Sequence, residues 1–290
     1  MLSVVLTSCG GRPTSSTGTT APDILASTTF LADIARNITG ERLTVGSLLP
    51  VGADPHAFQA TPQDVTKISV SELIITNGAE YEHFLEALLE NAKGEKTVVE
   101  ASTGITPRTD PDSEHGIDPH MWLDPNNVII YVENIRDAVT HFDPEGEAIY
   151  KANADTYIAE LKNLDEWIVE QVEQIPSEKR LLVTNHEAFG YFAERYGFRV
   201  VGTVVKSFSS VASPSAQQLA ELIDQIKSSG APAIFLDELE NPIFAQQIAT
   251  ETGVHVVTDL HLESLTDGAP ASTYIDMMKY NVTQIVNALR

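Results

Sequence analysis

Residues 144–175 read PEGEAIYKANADTYIAELKNLDEWIVEQVEQI. After Gly146 this stretch contains no glycine or proline. Its apolar positions Ile149, Ala152, Ala154, Tyr157, Ile158, Leu161, Leu164, Trp167, Ile168 and Val172 recur with helical spacing. Asp143 stands at the N-cap and Pro144 at the first helical position. The stretch predicts one unbroken helix of roughly 45 Å, at about 1.5 Å per residue. No strand candidate occurs between 125 and 175, so this helix separates whatever folds before it from whatever folds after it.

Both flanks alternate short apolar runs with helical patterns. Before the helix, strands are predicted at 23–28, 43–50, 72–77 and 97–100, with helices at 30–38, 62–70 and 80–92. After it, strands are predicted at 180–185, 198–205, 233–238 and 254–259, with helices at 187–196, 214–228, 242–252 and 271–289. Such βα alternation implies parallel sheets with helices on their faces. The predicted fold is therefore α/β: two (β/α)4 lobes with parallel sheets, joined by one long rigid helix. The predicted lobes are 23–142 and 176–290, with 143–175 as the linking helix.

The 290 residues are 42% hydrophobic, enough for a sizeable core, and carry a formal net charge of −23. With no Lys/Arg cluster to meet phosphates, nucleic acid is excluded as a partner. A single cysteine, Cys9, excludes an intrachain disulfide. It ends MLSVVLTSC, a short apolar run resembling the lipobox of bacterial lipoproteins, which makes Cys9 the expected lipidation site. The run lacks a basic n-region and is short for a signal peptide, so the chain is read as beginning inside its signal. Residues 10–22, GGRPTSSTGTTAP, read as a flexible tether. Residues 1–22 are thus a signal remnant and tether, and the expected location is extracytoplasmic, lipid-anchored to the outer face of a membrane or periplasmic.

The tripeptide Asp-Pro-His occurs twice, at 54–56 and 118–120, among only eight histidines. At ordinary frequencies one copy is expected roughly a few hundredths of a time in a chain this long. Proline fixes its own φ and pushes the preceding residue to an extended conformation, stiffening the loop that presents the histidine. His56, His120, His186 and Asp259 each fall beside the carboxyl end of a predicted strand or at a helix entrance, where open α/β sheets bind ligands. Three imidazoles and a carboxylate suit tetrahedral Zn²⁺, although such ligands alone do not fix the ion. Asp54 and Asp118 are expected to orient imidazoles or brace the loops. Glu238, ending AIFLDE, is a candidate for similar support.

GADPHAFQATPQDV, DPHMWLDP, TNHEAFGYFAERYG and SPSAQQL resemble the zinc/manganese substrate-binding proteins of bacterial ABC importers, the cluster A-I metal receptors. The resemblance runs from Asp23 to the C-terminus. It implies two (β/α)4 lobes joined by a rigid helix, and metal ligands at His56, His120, His186 and, through VVTDL, Asp259. It also implies an ABC permease as partner, a monomer, and Zn²⁺ or Mn²⁺ as transported ligand rather than enzymatic cofactor. Manganese-selective relatives usually carry Glu at the position of His186, so histidine there favours zinc. Relatives often have a long His/Asp/Glu-rich loop before the second ligand. Here TPRTDPDSEHGIDPH is short, with His115 as a candidate for weak metal capture. His83, His141, His255 and His261 are read as structural or surface residues, His261 being the nearest to the predicted site.

The competing classes are a manganese receptor, a zinc hydrolase and a surface adhesin. His186-Glu187 fails the H-E-x-x-H pattern because position 190 is glycine. A fourth protein ligand would also fill the position that a catalytic zinc keeps open.

Overall fold

The computed structural model describes residues 22–109 and 116–290. Cys9 and His115 lie outside the described residues. Among the described residues, no helix is long and apolar enough to cross a membrane.

The first half contains β1 (Ile24–Ala26), α1 (Thr29–Thr39), β2 (Val45–Ser47), α2 (Pro62–Val70), β3 (Leu73–Thr76), α3 (Leu85–Asn91) and β4 (Thr97–Glu100). Two long helices follow, α4 (Pro125–Phe142) and α5 (Glu147–Val172). The second half contains β5 (Leu181–Thr184), α6 (Gly190–Tyr196), β6 (Arg199–Thr203), α7 (Ala216–Ser229), β7 (Ala233–Asp237), α8 (Ile243–Thr252), β8 (His255–Leu260) and α9 (Tyr274–Leu289).

Two four-stranded sheets form, ordered β2-β1-β3-β4 and β6-β5-β7-β8. Every strand pair in them is parallel. The predicted α/β fold is the observed one. The central strands β1, β3, β5 and β7 are buried along their whole length, which is why they read as continuous apolar runs.

Helix α5 buries Tyr150, Ala154, Tyr157, Leu161, Leu164, Ile168 and Val172, a stripe stepping by three and four residues. Ile149 was expected in this stripe but is 46% exposed, one position off the buried face. The helix packs against α1 and α4 from the first half and α9 from the second. One apolar core therefore runs from Ile24 and Phe30 through Leu161 to Met278 and Ile285. Gly146 closes the turn before α5, and any Cβ there would collide with the ring of Tyr150.

Several predicted helix starts move: α9 begins at Tyr274 rather than 271, and a 3-10 turn over Pro144–Gly146 precedes α5. The first-half helix begins at Leu85 rather than 80, because Ala79 and Glu80 adopt left-handed φ of 53° and 59°. The helix after β5 begins at Gly190 rather than 187, leaving residues 185–189 as a loop at the strand end.

Candidate metal centre

Four segments meet between the carboxyl ends of the two sheets. His56 comes from the loop after β2, His120 from the loop leading through a 3-10 turn into α4, and His186 from the loop after β5. Glu263 comes from the loop after β8. Their ligand-capable atoms all lie within 4.8 Å of one another. Glu263 Oε1 stands 3.3 Å from His120 Nε2, 3.4 Å from His186 Nε2 and 3.6 Å from His56 Nε2. His120 Nε2 and His186 Nε2 are 3.2 Å apart. Ligand bonds of 2.0–2.1 Å in a tetrahedron give edges of about 3.3 Å, so these atoms lie close enough together to share one bound cation.

The polar accounting points the same way. His56 Nε2 and Glu263 Oε1 are buried with no hydrogen-bond partner. A buried polar atom left unpaired costs free energy unless something satisfies it. A cation among the four atoms does so, and the donor set of three imidazole nitrogens and one carboxylate oxygen fits one.

Each ligand is held from behind. His120 Nδ1 lies 2.9 Å from Asp118 Oδ1, which also accepts the backbone N–H of His120 at 3.0 Å. His186 Nδ1 donates to Glu240 Oε1 at 2.6 Å. Glu240 Oε1 also accepts from Asn185 Nδ2, and Glu240 Oε2 from the backbone N–H of Asp237. His56 is held through its backbone: its N–H donates to Asp54 Oδ1, and Asp54 Oδ2 accepts from Ser210 Oγ across the cleft. Glu263 Oε2 accepts from the hydroxyl of Tyr81. The ring contacts at His120 and His186 fix their orientation, and all three Nε2 atoms lie near Glu263 Oε1.

Burial alone would lower the His120 and His186 pKa values. For His120 the Asp118 and Glu263 carboxylates outweigh it, and the pKa is raised. For His186, Glu240 and Glu263 do the same and raise it well above the ordinary value. Burial would raise Glu263, yet His120, His186 and His56 hold it well below the usual range. The cluster therefore sets an anionic carboxylate against His120 and His186, whose proton affinity it raises, a set in which a cation displaces protons. A cavity of about 340 Å³ opens onto it, lined by Pro55, His56, Phe58, Tyr81, Phe84 and Phe208 among others.

The three predicted histidines are brought together, with Asp118 against the His120 ring and Asp54 against the backbone of His56. Asp259 does not join them. It is exposed on β8, and its Oδ2 accepts from Tyr280 Oη of α9 at 2.7 Å. The strand continues to Leu260, and only the following loop turns into the cleft, so the carboxylate that arrives is Glu263, four residues later. Glu238 is also displaced: its Oε1 lies 2.9 Å from His261 Nδ1, while Glu240, two residues on, reaches His186. Sequence reasoning missed Glu240 and Glu263. The signal available was that the loop after a strand, rather than the strand's last residue, enters the cleft, as it does at His56 and His186.

Two parallel β/α sheets bridged by a long helix, with a buried His/His/His/Glu cluster between their carboxyl ends, define a metal-binding solute receptor. The chain belongs to the family described as zinc-uptake complex component A, periplasmic (ZnuA), whose model matches residues 24–288. It is a metal-binding substrate-binding protein of the ABC importers. It is 35% identical over 291 positions to the manganese-binding lipoprotein MntA of Halalkalibacterium halodurans, covering 100% of this chain and 96% of that protein. It is 35% identical to the iron-binding protein YfeA of Yersinia pestis, over 90% of this chain and 84% of that one. Among solved structures it matches the Mn-bound periplasmic metal binding protein of Candidatus Liberibacter asiaticus with a TM-score of 0.81 and 30% identity, covering 92% of this chain and 99% of the other. The periplasmic zinc binding protein TroA of Treponema pallidum matches with a TM-score of 0.84 and 26% identity, at the same coverage.

Proposed function

We propose that this protein is a lipid-anchored extracytoplasmic receptor that captures Zn²⁺ with His56, His120, His186 and Glu263 and delivers it to an ABC permease. The observation that carries the zinc reading is the donor set itself, three imidazole nitrogens and one carboxylate oxygen brought within 4.8 Å of one another. Zinc accepts that set readily, whereas manganese favours more oxygen ligands in an octahedral shell. The cation is cargo, and four protein atoms around it leave no open position for hydrolysis. All four come from one chain, consistent with a monomeric receptor. Anchoring through Cys9 is supported by the lipoprotein naming of relatives such as MntA.

A second reading, manganese as cargo, is favoured by the relatives themselves, since MntA is named manganese-binding and a matching structure is Mn-bound. The deciding experiment strips the protein with chelator, offers equimolar Zn²⁺ and Mn²⁺, and measures retained metal by elemental analysis. One zinc per chain is expected, lost in His120→Ala and Glu263→Ala and kept in Asp259→Ala. Retained manganese would move the protein to the second reading. Metal lost in Asp259→Ala but kept in Glu263→Ala would refute the ligand set.

A further inference from the structure

The two oxygens of Glu263 have different fates. Oε1 faces the three imidazoles without a hydrogen-bond partner, while Oε2 accepts from the buried hydroxyl of Tyr81. Tyr81 is 3% exposed, and its ring is wedged 5.0 Å from that of Trp122 and 5.5 Å from that of His56. Trp122 is fixed in turn by stacking on Phe30 at 4.6 Å and by donating Nε1–H to the Leu262 carbonyl. The phenol therefore has little freedom to leave Glu263.

The backbone that presents Tyr81 is strained. Ala79 and Glu80 both take left-handed φ without being glycine, a conformation that a Cβ disfavours. Glu82 clamps the turn, accepting from Ser27 Oγ at 2.7 Å, Asn77 N at 2.6 Å and Gly78 N at 3.1 Å. Such strain persists only where the surroundings over-determine it, and its effect here is to aim one hydroxyl at one carboxylate oxygen.

We propose that Tyr81 is a specificity-determining positioning residue: by holding Oε2 of Glu263 it restricts the carboxylate to one-oxygen ligation and keeps the bound cation four-coordinate. A carboxylate that can swing both oxygens onto the ion adds a fifth ligand atom, and higher coordination by oxygen favours Mn²⁺ over Zn²⁺. The hydrogen bond thus excludes manganese by denying it an oxygen. The direction of this selectivity rests on the zinc reading; the control of carboxylate ligation does not.

The test uses the full chain, stripped of metal and loaded with Co²⁺ as a coordination probe, with Zn²⁺ and Mn²⁺ affinities measured by chelator competition. The wild type should show the intense visible absorption of four-coordinate Co²⁺. Tyr81→Phe should show the weaker five-coordinate spectrum and a Mn²⁺-to-Zn²⁺ affinity ratio raised about tenfold, the size of one hydrogen bond to a charged group. A five-coordinate spectrum in the wild type would overturn the proposal, and that measurement stands even if the variant fails to fold. An unchanged spectrum and ratio in Tyr81→Phe would also overturn it, leaving the phenol a packing group. A wild type that prefers Mn²⁺ yet shows the four-coordinate band, with both readouts moving in Tyr81→Phe, would refute zinc as cargo while upholding the role of Tyr81.

Discussion

Glu240 and Asp118 do the same job for different histidines, and their surroundings make them unequal. Glu240 Oε1 takes two side-chain donors, His186 Nδ1 and Asn185 Nδ2, while Oε2 takes a backbone N–H. An amide at this position has only one acceptor oxygen, so Glu240→Gln leaves donors facing its NH₂ whichever way it is turned. Asp118→Asn keeps Oδ1 toward His120 and gives up only a 3.8 Å ion pair from Oδ2 to Arg108. Glu240→Gln should therefore weaken metal binding by about 10–100-fold, and Asp118→Asn by clearly less. Titration calorimetry on both variants checks the order, and equal losses would show that charge matters here rather than acceptor count. The three histidines were legible because a doubled Asp-Pro-His and a histidine at a strand end are local patterns. Glu240 and Glu263 were not, because which residue of a loop enters a cleft is decided by where the strand stops. The last strand ends one residue beyond Asp259, at Leu260, and that single step sends Asp259 to Tyr280 instead of to the histidines.

At the scale of elements, α6 owes its start to the site. A Cβ on Gly190 would lie 2.5 Å from both Asp118 Oδ2 and Arg108 Nε. Arg108 has room to give, but Asp118 is 1% exposed and holds His120. Gly190→Ala should raise helix propensity yet lower metal affinity by roughly tenfold, acting through the displaced Asp118. Affinity equal to wild type, with the variant folded, would show that Asp118 relaxes without cost. The entry to α5 makes a second prediction. Asp143 accepts from Arg42 and from Tyr150, tying the end of α1's loop to the α4–α5 turn. The Arg42 guanidinium, then the Tyr150 hydroxyl, lower the Asp143 pKa to about 2. A depressed carboxylate contributes stability that is present above its unfolded pKa, about 3.9, and lost as pH falls through its folded value. Asp143→Asn should therefore flatten the stability loss between about pH 4 and pH 2. Urea unfolding of the metal-free protein across that range measures it, and identical acid limbs for both proteins would count against the clamp. The helix boundaries themselves were legible at Pro62 and Pro125, where proline marked them, while Asp143-Pro144 opens a 3-10 turn instead of α5 itself. The start of α3 was not, because left-handed φ at Ala79 and Glu80 has no sequence signature: neither residue favours it.

At the scale of the whole molecule, the long helix was legible because no breaker interrupts it, and the two sheets because their central strands are continuously apolar. What the periodicity did not carry is how the halves are stitched together beside the metal centre. The segment after β8 belongs to the second half by sequence but bonds to the first. Leu265 N donates to Thr29 Oγ1, Ser264 Oγ accepts from Gly52 N, and the Leu262 carbonyl accepts from Trp122 Nε1. It also stays tied to its own sheet, since Leu262 N donates to Asp237 Oδ2 at 2.5 Å. Glu263 thus sits on a bridge anchored to both sheets, above a helix α5 of about 39 Å whose buried stripe packs into a core shared by both halves. Opening the halves as rigid bodies would break this bridge and expose apolar core, whereas moving the His56 loop breaks chiefly the Asp54–Ser210 and Gly52–Ser264 contacts. Metal loading should therefore proceed by displacement of loop 50–58 with the sheets nearly fixed. Hydrogen exchange of metal-free and zinc-loaded protein should show protection gained in residues 50–58 and 206–213, with α5 unchanged, and small-angle scattering should give the same radius of gyration for both. A scattering radius that falls on loading, accompanied by exchange changes along α5, would mean that the halves hinge about the helix and that the bridge at Glu263 opens in every transport cycle.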